Sequence, residues 1–176
     1  MIEELHFVEP DLRAIDASPA EVIACAVWQD ERPLRGVAGL LDWRLAGRLS
    51  ALAKGGFLKG EAGEVLLVPG RPKVPFEKIL LLGLGTRKAF DDGVVRTALS
   101  RLKSTLEGLR VKRALVEVPG RASGELEATR AAELLAEQAP EVLEGPAWTL
   151  VDTPEGETTM RQRLLRRPDA RSRPGA

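Results

Sequence analysis

Residues 64–85 read EVLLVPGRPKVPFEKILLLGLG and contain two short apolar runs joined by a proline-containing link. The runs are Glu64–Val68 and Lys78–Leu82, and Pro72 and Pro75 fall between them. Prolines at these positions indicate a turn that connects two neighbouring strands directly. Because no helix separates the two strands, the sheet is predicted to be mixed and not purely parallel.

Other apolar runs alternate with helical patterns on both sides of this stretch. Val22–Trp28 is nearly continuous in apolar residues, as expected of a strand covered on both faces. Leucines at helical spacing predict one helix with the stripe Leu41, Leu45, Leu49 and Leu52, ending at Gly55-Gly56. The other predicted elements are an edge strand around His6, a helix capped by Asp91 or Asp92 with the apolar face Val95, Ala98, Leu99, Leu102, Leu106 and Leu109, a strand at Arg113–Val118, a helix at Glu125–Gln138 and a strand at Trp148–Val151. This order predicts an α/β protein, a three-layer α/β/α sandwich with a mixed sheet.

The chain is divided by composition near its C-terminal end. Residues 1–153 have the length and pattern of one globular domain. Residues 154–176 form an extension, in which Glu157–Ala176 holds six arginines against two acids. A short helix at Met160–Arg167 followed by a flexible tail is predicted there.

The composition excludes several classes of protein. The 26 basic and 26 acidic residues balance, which argues against a dedicated nucleic-acid binder. The apolar runs are far shorter than the roughly 20 residues that span a bilayer, so no membrane association is expected. An acidic N-terminus is unlike a secretory signal, and the single Cys25 cannot form an internal disulfide, so a cytoplasmic location is expected. Cys25 lies in an apolar run and is predicted to be a buried, inert thiol.

The turn Gly83-Leu84-Gly85-Thr86 is the candidate for binding an anion. It follows a predicted strand and precedes a helix, and open α/β sheets bind ligands at the carboxyl ends of strands. The motif is incomplete, because a dinucleotide-binding loop would have glycine where Lys88 stands, and no Gly-Lys-Ser/Thr of a P-loop occurs. Gly83, Gly85 and Thr86 are therefore either a small anion-binding turn or a tight strand-to-helix turn.

The residue types needed for metal or nucleophilic catalysis are nearly missing. His6 is the single histidine, and Asp91-Asp92 is explained as a helix cap. No Gly-x-Ser-x-Gly elbow is present. We therefore expect no catalytic residue, no metal site and no cofactor.

Four consecutive segments carry a family resemblance. They are LDWRLAGRLS at 41–50, GGFLKG at 55–60, GEVLLVP at 63–69 and ILLLGLG at 79–85. In this order they resemble the N-terminal domain of the leucine (cytosol) aminopeptidases, and the resemblance covers about residues 20–135. It implies a macro-like α/β/α domain that supports a hexameric assembly and that, in some bacterial members, takes part in DNA binding.

The resemblance also implies that chemistry lies elsewhere in these enzymes. Their two metal ions and their catalytic lysine and arginine belong to a C-terminal domain marked by the segment Asn-Thr-Asp-Ala-Glu-Gly-Arg-Leu. The present sequence contains no asparagine at all. No catalytic residue is carried over, and the domain is not expected to keep the ADP-ribose pocket of true macro domains.

Three functions remain open at this point. The first is a non-catalytic interaction or regulatory module that acts by self-association or by binding a protein partner. The second is a module for a small anionic ligand, such as a nucleotide or ADP-ribose, near Gly83–Thr86. The third is a nucleic-acid accessory protein, for which only weak contacts through the arginine-rich tail are expected.

Overall fold

A computed structural model of the chain describes residues 5–166, which form a six-stranded sheet with helices on both faces. The strands are β1 (His6–Val8), β2 (Val22–Val27), β3 (Val65–Pro69), β4 (Lys78–Gly83), β5 (Ala114–Val116) and β6 (Trp148–Val151). The α-helices are α1 (Leu12–Asp16), α2 (Gly36–Arg44), α3 (Arg48–Lys54), α4 (Asp92–Gly108), α5 (Ala128–Gln138) and α6 (Pro154–Leu165). Short 3-10 helices cover Arg87–Ala89 and Pro140–Glu144. None of the helices in this part of the chain combines the length and the apolar character needed to cross a membrane.

The sheet has the strand order β1-β6-β5-β2-β4-β3. All neighbouring strands run parallel except β3 and β4, which pair antiparallel with Val65 opposite Leu82 and Val68 opposite Ile79. The predicted mixed sheet and the predicted turn between two successive strands are therefore confirmed. His6 lies on an edge strand, as predicted, because β1 pairs with β6 alone.

Strand β2 is buried on both faces and separates two apolar layers. Ile23 and Cys25 belong to a cluster with residues of α2 and α3, whereas Val22 and Ala24 belong to a cluster with residues of α4, α5 and α6. This alternation follows from the two-residue period of a strand. The predicted three-layer α/β/α sandwich is confirmed.

Helix α4 supplies the longest apolar stripe. The Asp91 side chain accepts a hydrogen bond from the Val94 N–H at 3.0 Å, which confirms the predicted N-terminal cap. Val95, Ala98, Leu99, Leu102 and Leu106 are all buried. Leu109 was wrongly included in this stripe, because it lies at the C-cap of the helix and is exposed.

The single helix predicted from Leu41 to Leu52 is wrong, because two helices occupy this stretch. Helix α2 ends at Arg44 and α3 begins at Arg48, with Ala46 (φ 54°) and Gly47 (φ 81°) in the left-handed region between them. The Asp42 carboxylate accepts the Ser50 N–H at 3.0 Å and so fixes the second helix against the first. Leu41, Leu45 and Leu49 are buried in the same apolar cluster although the break lies between them, which is why their spacing resembles that of one helix.

Several boundaries differ from the predicted ones. Strand β5 is shorter than predicted, and α5 begins three residues later. Helix α6 is longer, because Thr153 caps it by accepting the Gly156 N–H, and it packs on α5 through the buried Met160 and Leu164. The predicted tail at residues 167–176 lies outside the described residues.

Replacing Leu102 with Ala should lower the free energy of unfolding by about 2–5 kcal/mol, because truncation of this fully buried side chain on α4 leaves a cavity. Leu165→Ala, at an exposed position, is the matched control and should change it by less than about 0.5 kcal/mol. Urea unfolding of both variants measures the difference. Equal effects would show that α4 does not present this face to the sheet.

Candidate functional site: a cleft at the carboxyl ends of the strands

The loops that follow β2, β4 and β5 enclose a cleft of about 190 Å³. These strands are parallel neighbours, so their carboxyl ends lie at one edge of the sheet. Trp28 and Glu31 line the cleft from the loop after β2, Arg87 from the loop after β4, and Glu117 and Gly120 from the loop after β5. This edge is where α/β sheets place ligand sites.

Glu117 forms the inner end of the cleft, with only 4% of its surface exposed. One carboxylate oxygen accepts the Ala26 N–H near the end of β2 at 3.2 Å. The other accepts the Val37 N–H in the first turn of α2 at 2.9 Å. The first N–H groups of a helix lack partners within the helix, so Glu117 caps α2 from a distant part of the chain. Glycine at position 36 leaves room for this carboxylate, because a Cβ there would lie 3.0 Å from one of its oxygens.

Burial changes the acidity of this side chain. Removal from water raises the pKa of Glu117 to about 7, and the two backbone N–H donors act in the opposite direction by stabilising the charged form. The negative charges of Asp152 and Glu31 are smaller contributions to the same rise in pKa. Glu117 therefore changes its charge near neutral pH, where ordinary glutamates are fully ionised.

Arg87 lies at the mouth of the cleft and is held by aromatic and acidic groups. Its guanidinium donates to Glu31 at 2.5 Å and to Glu125 at 3.2 Å. The same group lies over the Trp28 ring, 5.2 Å from the ring centroid. Arg35 adds a longer ion pair with Glu31 at 3.8 Å. Ion pairs among its own side chains thus span the mouth of the cleft.

A buried ion pair fixes the loop after β5. Arg121 donates to both carboxylate oxygens of Asp152, at 2.8 and 2.9 Å, and to the Leu126 carbonyl at 2.8 Å. Both charged side chains are largely buried, and such a two-point contact restrains orientation as well as distance. The Arg121–Asp152 pair therefore fixes the cleft wall that contains Gly120 to the start of α6.

The predicted anion-binding turn lies beside this cleft, but the N–H groups of its two glycines have partners within the protein. The Gly83 N–H donates to the Glu64 carbonyl and the Gly85 N–H to the Gly60 carbonyl, both at 2.8 Å. A Cβ at Gly83 would lie 2.0 Å from the Glu61 carbonyl oxygen, so close packing of the neighbouring loop accounts for that glycine. Thr86 begins the 3-10 helix that carries Arg87 into the cleft mouth. Anion binding by Gly83, Gly85 and Thr86 stays a prediction.

Neither His6 nor Cys25 is among the residues that line this cleft. His6 is exposed on the far edge strand, and Cys25 is completely buried, as predicted, with its pKa raised by burial and by the nearby Glu117. Across residues 5–166 no three His, Cys, Asp or Glu side chains come together in a way that could hold a metal ion. Trp28 and Trp148 are buried, whereas Trp43 is exposed.

Sequence reasoning missed Glu117, Glu31 and Arg87. Glu117 was assigned to a strand, Arg113–Val118, without a separate role. A usable signal was present, because an acidic residue inside an apolar strand pattern needs a partner when it is buried. Its partners, however, are 80 and 91 residues away along the chain and follow from no local pattern.

Comparison with known proteins places this architecture in a family. The model of the cytosol aminopeptidase family, N-terminal domain, matches residues 22–143. The probable cytosol aminopeptidase of Halorhodospira halophila is 31% identical over 112 residues, which are 62% of this chain and 22% of that protein. The probable cytosol aminopeptidase of Thermosynechococcus vestitus is 33% identical over 126 residues, 70% of this chain and 25% of that protein. The chain thus spans about a quarter or less of the curated relatives it matches.

Solved structures with a similar fold include macrodomains and an aminopeptidase. A Trypanosoma brucei macrodomain in complex with ADP has a TM-score of 0.70 at 14% identity, covering 90% of this chain and 67% of that one. A variant of the Oceanobacillus iheyensis macrodomain has a TM-score of 0.70 at 12% identity over 94% of both chains. A tomato leucine aminopeptidase variant has a TM-score of 0.55 at 14% identity, over 90% of this chain and 35% of that one. At these identities the likeness shows the fold alone, and the predicted macro-like fold is confirmed.

Replacing Glu117 with Gln should change how stability depends on pH. The folded-state pKa of about 7 lies above the ordinary value of 4.5, so the folded protein holds this proton more tightly than the unfolded chain does. The stability that this proton supplies is present below pH 4.5 and is lost as the pH rises through 7. The free energy of unfolding of the wild type should therefore fall by about 3 kcal/mol relative to Glu117→Gln between pH 4 and pH 8.

Urea unfolding at several pH values measures this difference, with the surface variant Glu107→Gln as the control for the loss of one exposed carboxylate. If the free energies of unfolding of the wild type and Glu117→Gln differ by the same amount at every pH in this range, Glu117 does not titrate near neutral pH.

Proposed function

The chain belongs to the cytosol aminopeptidase family through its N-terminal domain, and we propose that it is a non-catalytic interaction module that acts by self-association. The 176 residues contain that domain and lack the catalytic domain of the family. Because the resemblance attributes support of a hexameric assembly to this domain, a second copy of the chain is the first partner that we propose. The relatives are named cytosol aminopeptidases, and we propose the same compartment for this chain.

Two exposed aromatic side chains carry this proposal. Trp43 on α2 is 74% exposed, and Phe57 just after α3 is 72% exposed. Both belong to the segment that covers one face of the sheet, and neighbouring side chains of the same segment, such as Leu41 and Leu58, are fully buried. The segment therefore holds its fold without these two rings, which are available for contact with another surface.

Burial of these rings in an interface would be strongly favourable. An aromatic side chain buries about 150–250 Å², which corresponds to roughly 4–6 kcal/mol per ring at about 25 cal/mol per Å² before the costs of association. Tryptophan is also among the residues that most often dominate protein interfaces. Single exposed apolar residues are common on monomers, but large aromatic rings exposed to this extent are less so.

A small anionic ligand is the second candidate function. The cleft has the right position for it, and the similar structures include the Trypanosoma brucei macrodomain in complex with ADP and the Thermosipho africanus DarTG in complex with ADP-ribose. Two features of this chain oppose it. The cleft volume of about 190 Å³ is below the roughly 300–1,000 Å³ of typical small-molecule sites, and Glu117 and Glu31 would repel a diphosphate.

The nucleic-acid alternative depends on arginines near the C-terminal end. Arg161 donates to Glu157 and to the Leu5 carbonyl, and Arg163 donates to Glu133, so these two are held by the domain itself. Four of the six arginines of Glu157–Ala176 remain, and three of these lie beyond residue 166, outside the described part of the chain. Nucleic-acid binding through the tail stays a prediction.

The double variant Trp43→Ala/Phe57→Ala should weaken self-association at least tenfold, because it removes the two exposed rings. Sedimentation equilibrium over a range of micromolar concentrations measures the dissociation constant. Leu109→Ala, which truncates an exposed apolar side chain at the end of α4, should leave it unchanged. A wild-type protein that stays monomeric throughout, or a double variant that associates as the wild type does, would contradict the proposal.

A further inference from the structure

We propose that the cleft receives a cationic side chain of the partner protein. The guanidinium or ammonium group of that side chain takes the place of Arg87 beside Glu31. This inference rests on the proposed interaction function and names the chemistry of the group that the partner inserts. It differs from the second candidate function in the sign of the charge that the cleft accepts.

The charges around the cleft favour a cation. The carboxylates of Glu31 and Glu117 line it, and those of Asp30 and Glu125 lie at its mouth, where each contacts Arg87. Three guanidinium groups oppose these four carboxylates: those of Arg35 and Arg87, and that of Arg32, which donates to the Trp28 and Glu31 carbonyls. The cleft therefore has an excess of negative charge when Glu117 is ionised, and a positive ligand group would offset it.

Three of the backbone donors near the cleft already have acidic partners within the protein. Glu117 takes the N–H groups of Ala26 and Val37, and the Asp30 carboxylate takes the Arg87 N–H at 3.3 Å. A phosphate or carboxylate that used these three donors would have to displace one of these acidic side chains. Each displaced carboxylate would then remain beside the incoming negative charge, which disfavours the exchange.

Arg87 shows which chemistry the cleft accommodates. A guanidinium over an indole ring gains cation–π attraction, and here the same group also pairs with Glu31 and Glu125. The Glu31 side chain is only 13% exposed, so loss of its paired cation would be unfavourable. The Arg87 side chain is 36% exposed, so an incoming cation can approach Glu31 and replace it from the solvent side.

The volume of the cleft fits this class of ligand. About 190 Å³ accommodates the end of one arginine or lysine side chain and is too small for a dinucleotide. One side chain inserted from a neighbouring protein would bring its positive charge to Glu31 and its apolar stem against Trp28. Long cationic side chains commonly bury their stems in this way.

The test uses N-acetyl-L-argininamide as the argininamide probe, in which the guanidinium is the one charged group, titrated into the full-length chain by calorimetry. Arg87→Ala removes the resident guanidinium and should bind the probe at least tenfold more tightly than the wild type. Adding Glu31→Gln to Arg87→Ala should reduce that affinity at least tenfold. Arg96→Ala breaks a comparable ion pair, between Arg96 on α4 and Glu137 on α5, and should bind the probe with the affinity of the wild type. N-acetyl-L-citrullinamide, which is uncharged and nearly the same shape, should not bind.

Two results would overturn the inference. One is a gain of affinity for inorganic phosphate or ADP-ribose in Arg87→Ala without a gain for argininamide, which would assign the cleft to anions. The other is equal argininamide affinity in Arg87→Ala with and without Glu31→Gln. If Arg87→Ala does not fold, Arg87→Met keeps the stem and permits the same titration. These titrations do not depend on Trp43 or Phe57, so failure of self-association and failure of the cation receptor are separate outcomes.

Discussion

The carboxylate of Glu117 connects the parts of the structure that matter for function. It joins the end of β5 to the end of β2 through the Ala26 N–H and to the first turn of α2 through the Val37 N–H. These two donors lie where an α/β sheet would otherwise offer its backbone to a ligand. A side chain of the protein therefore occupies that position, and Glu117 and Glu31 line the cleft together with Arg35 and Arg87. At the mouth, Arg87 pairs with Glu31 and lies over the Trp28 ring.

The sheet determines where this carboxylate can stand. Strand β2 lies at the centre, buried on both faces, and its neighbours β4 and β5 run parallel to it, so their following loops meet at one edge. The Arg121–Asp152 pair then fixes the loop after β5 against the start of α6. A similar fold occurs in the Trypanosoma brucei macrodomain in complex with ADP and in Thermosipho africanus DarTG in complex with ADP-ribose. A shared fold does not carry a ligand with it, because binding depends on the side chains and loops at the site.

Patterns within about twenty residues predicted most of the fold. The strands that became β3 and β4, the Asp91 cap and the buried stripe of α4 follow from spacing and turn residues alone. The break between α2 and α3 was missed because the leucines keep their spacing across it. The cleft could not be predicted, since Glu117 meets Val37 across 80 residues and Arg87 meets Glu31 across 56. Contacts at such separations depend on the order of strands in the sheet, and the sequence pattern does not specify that order.

The position and charge of Glu117 can be observed directly by NMR. The central claim predicts that the Glu117 side-chain carboxyl carbon titrates with a midpoint near pH 7, as its buried position requires. The amide protons of Ala26 and Val37 should shift with the same midpoint, because they donate to that carboxylate. A Glu117 carboxyl that titrates near the ordinary value for glutamate, with Ala26 and Val37 amides that do not follow it, would show that the carboxylate faces water and leaves the cleft open.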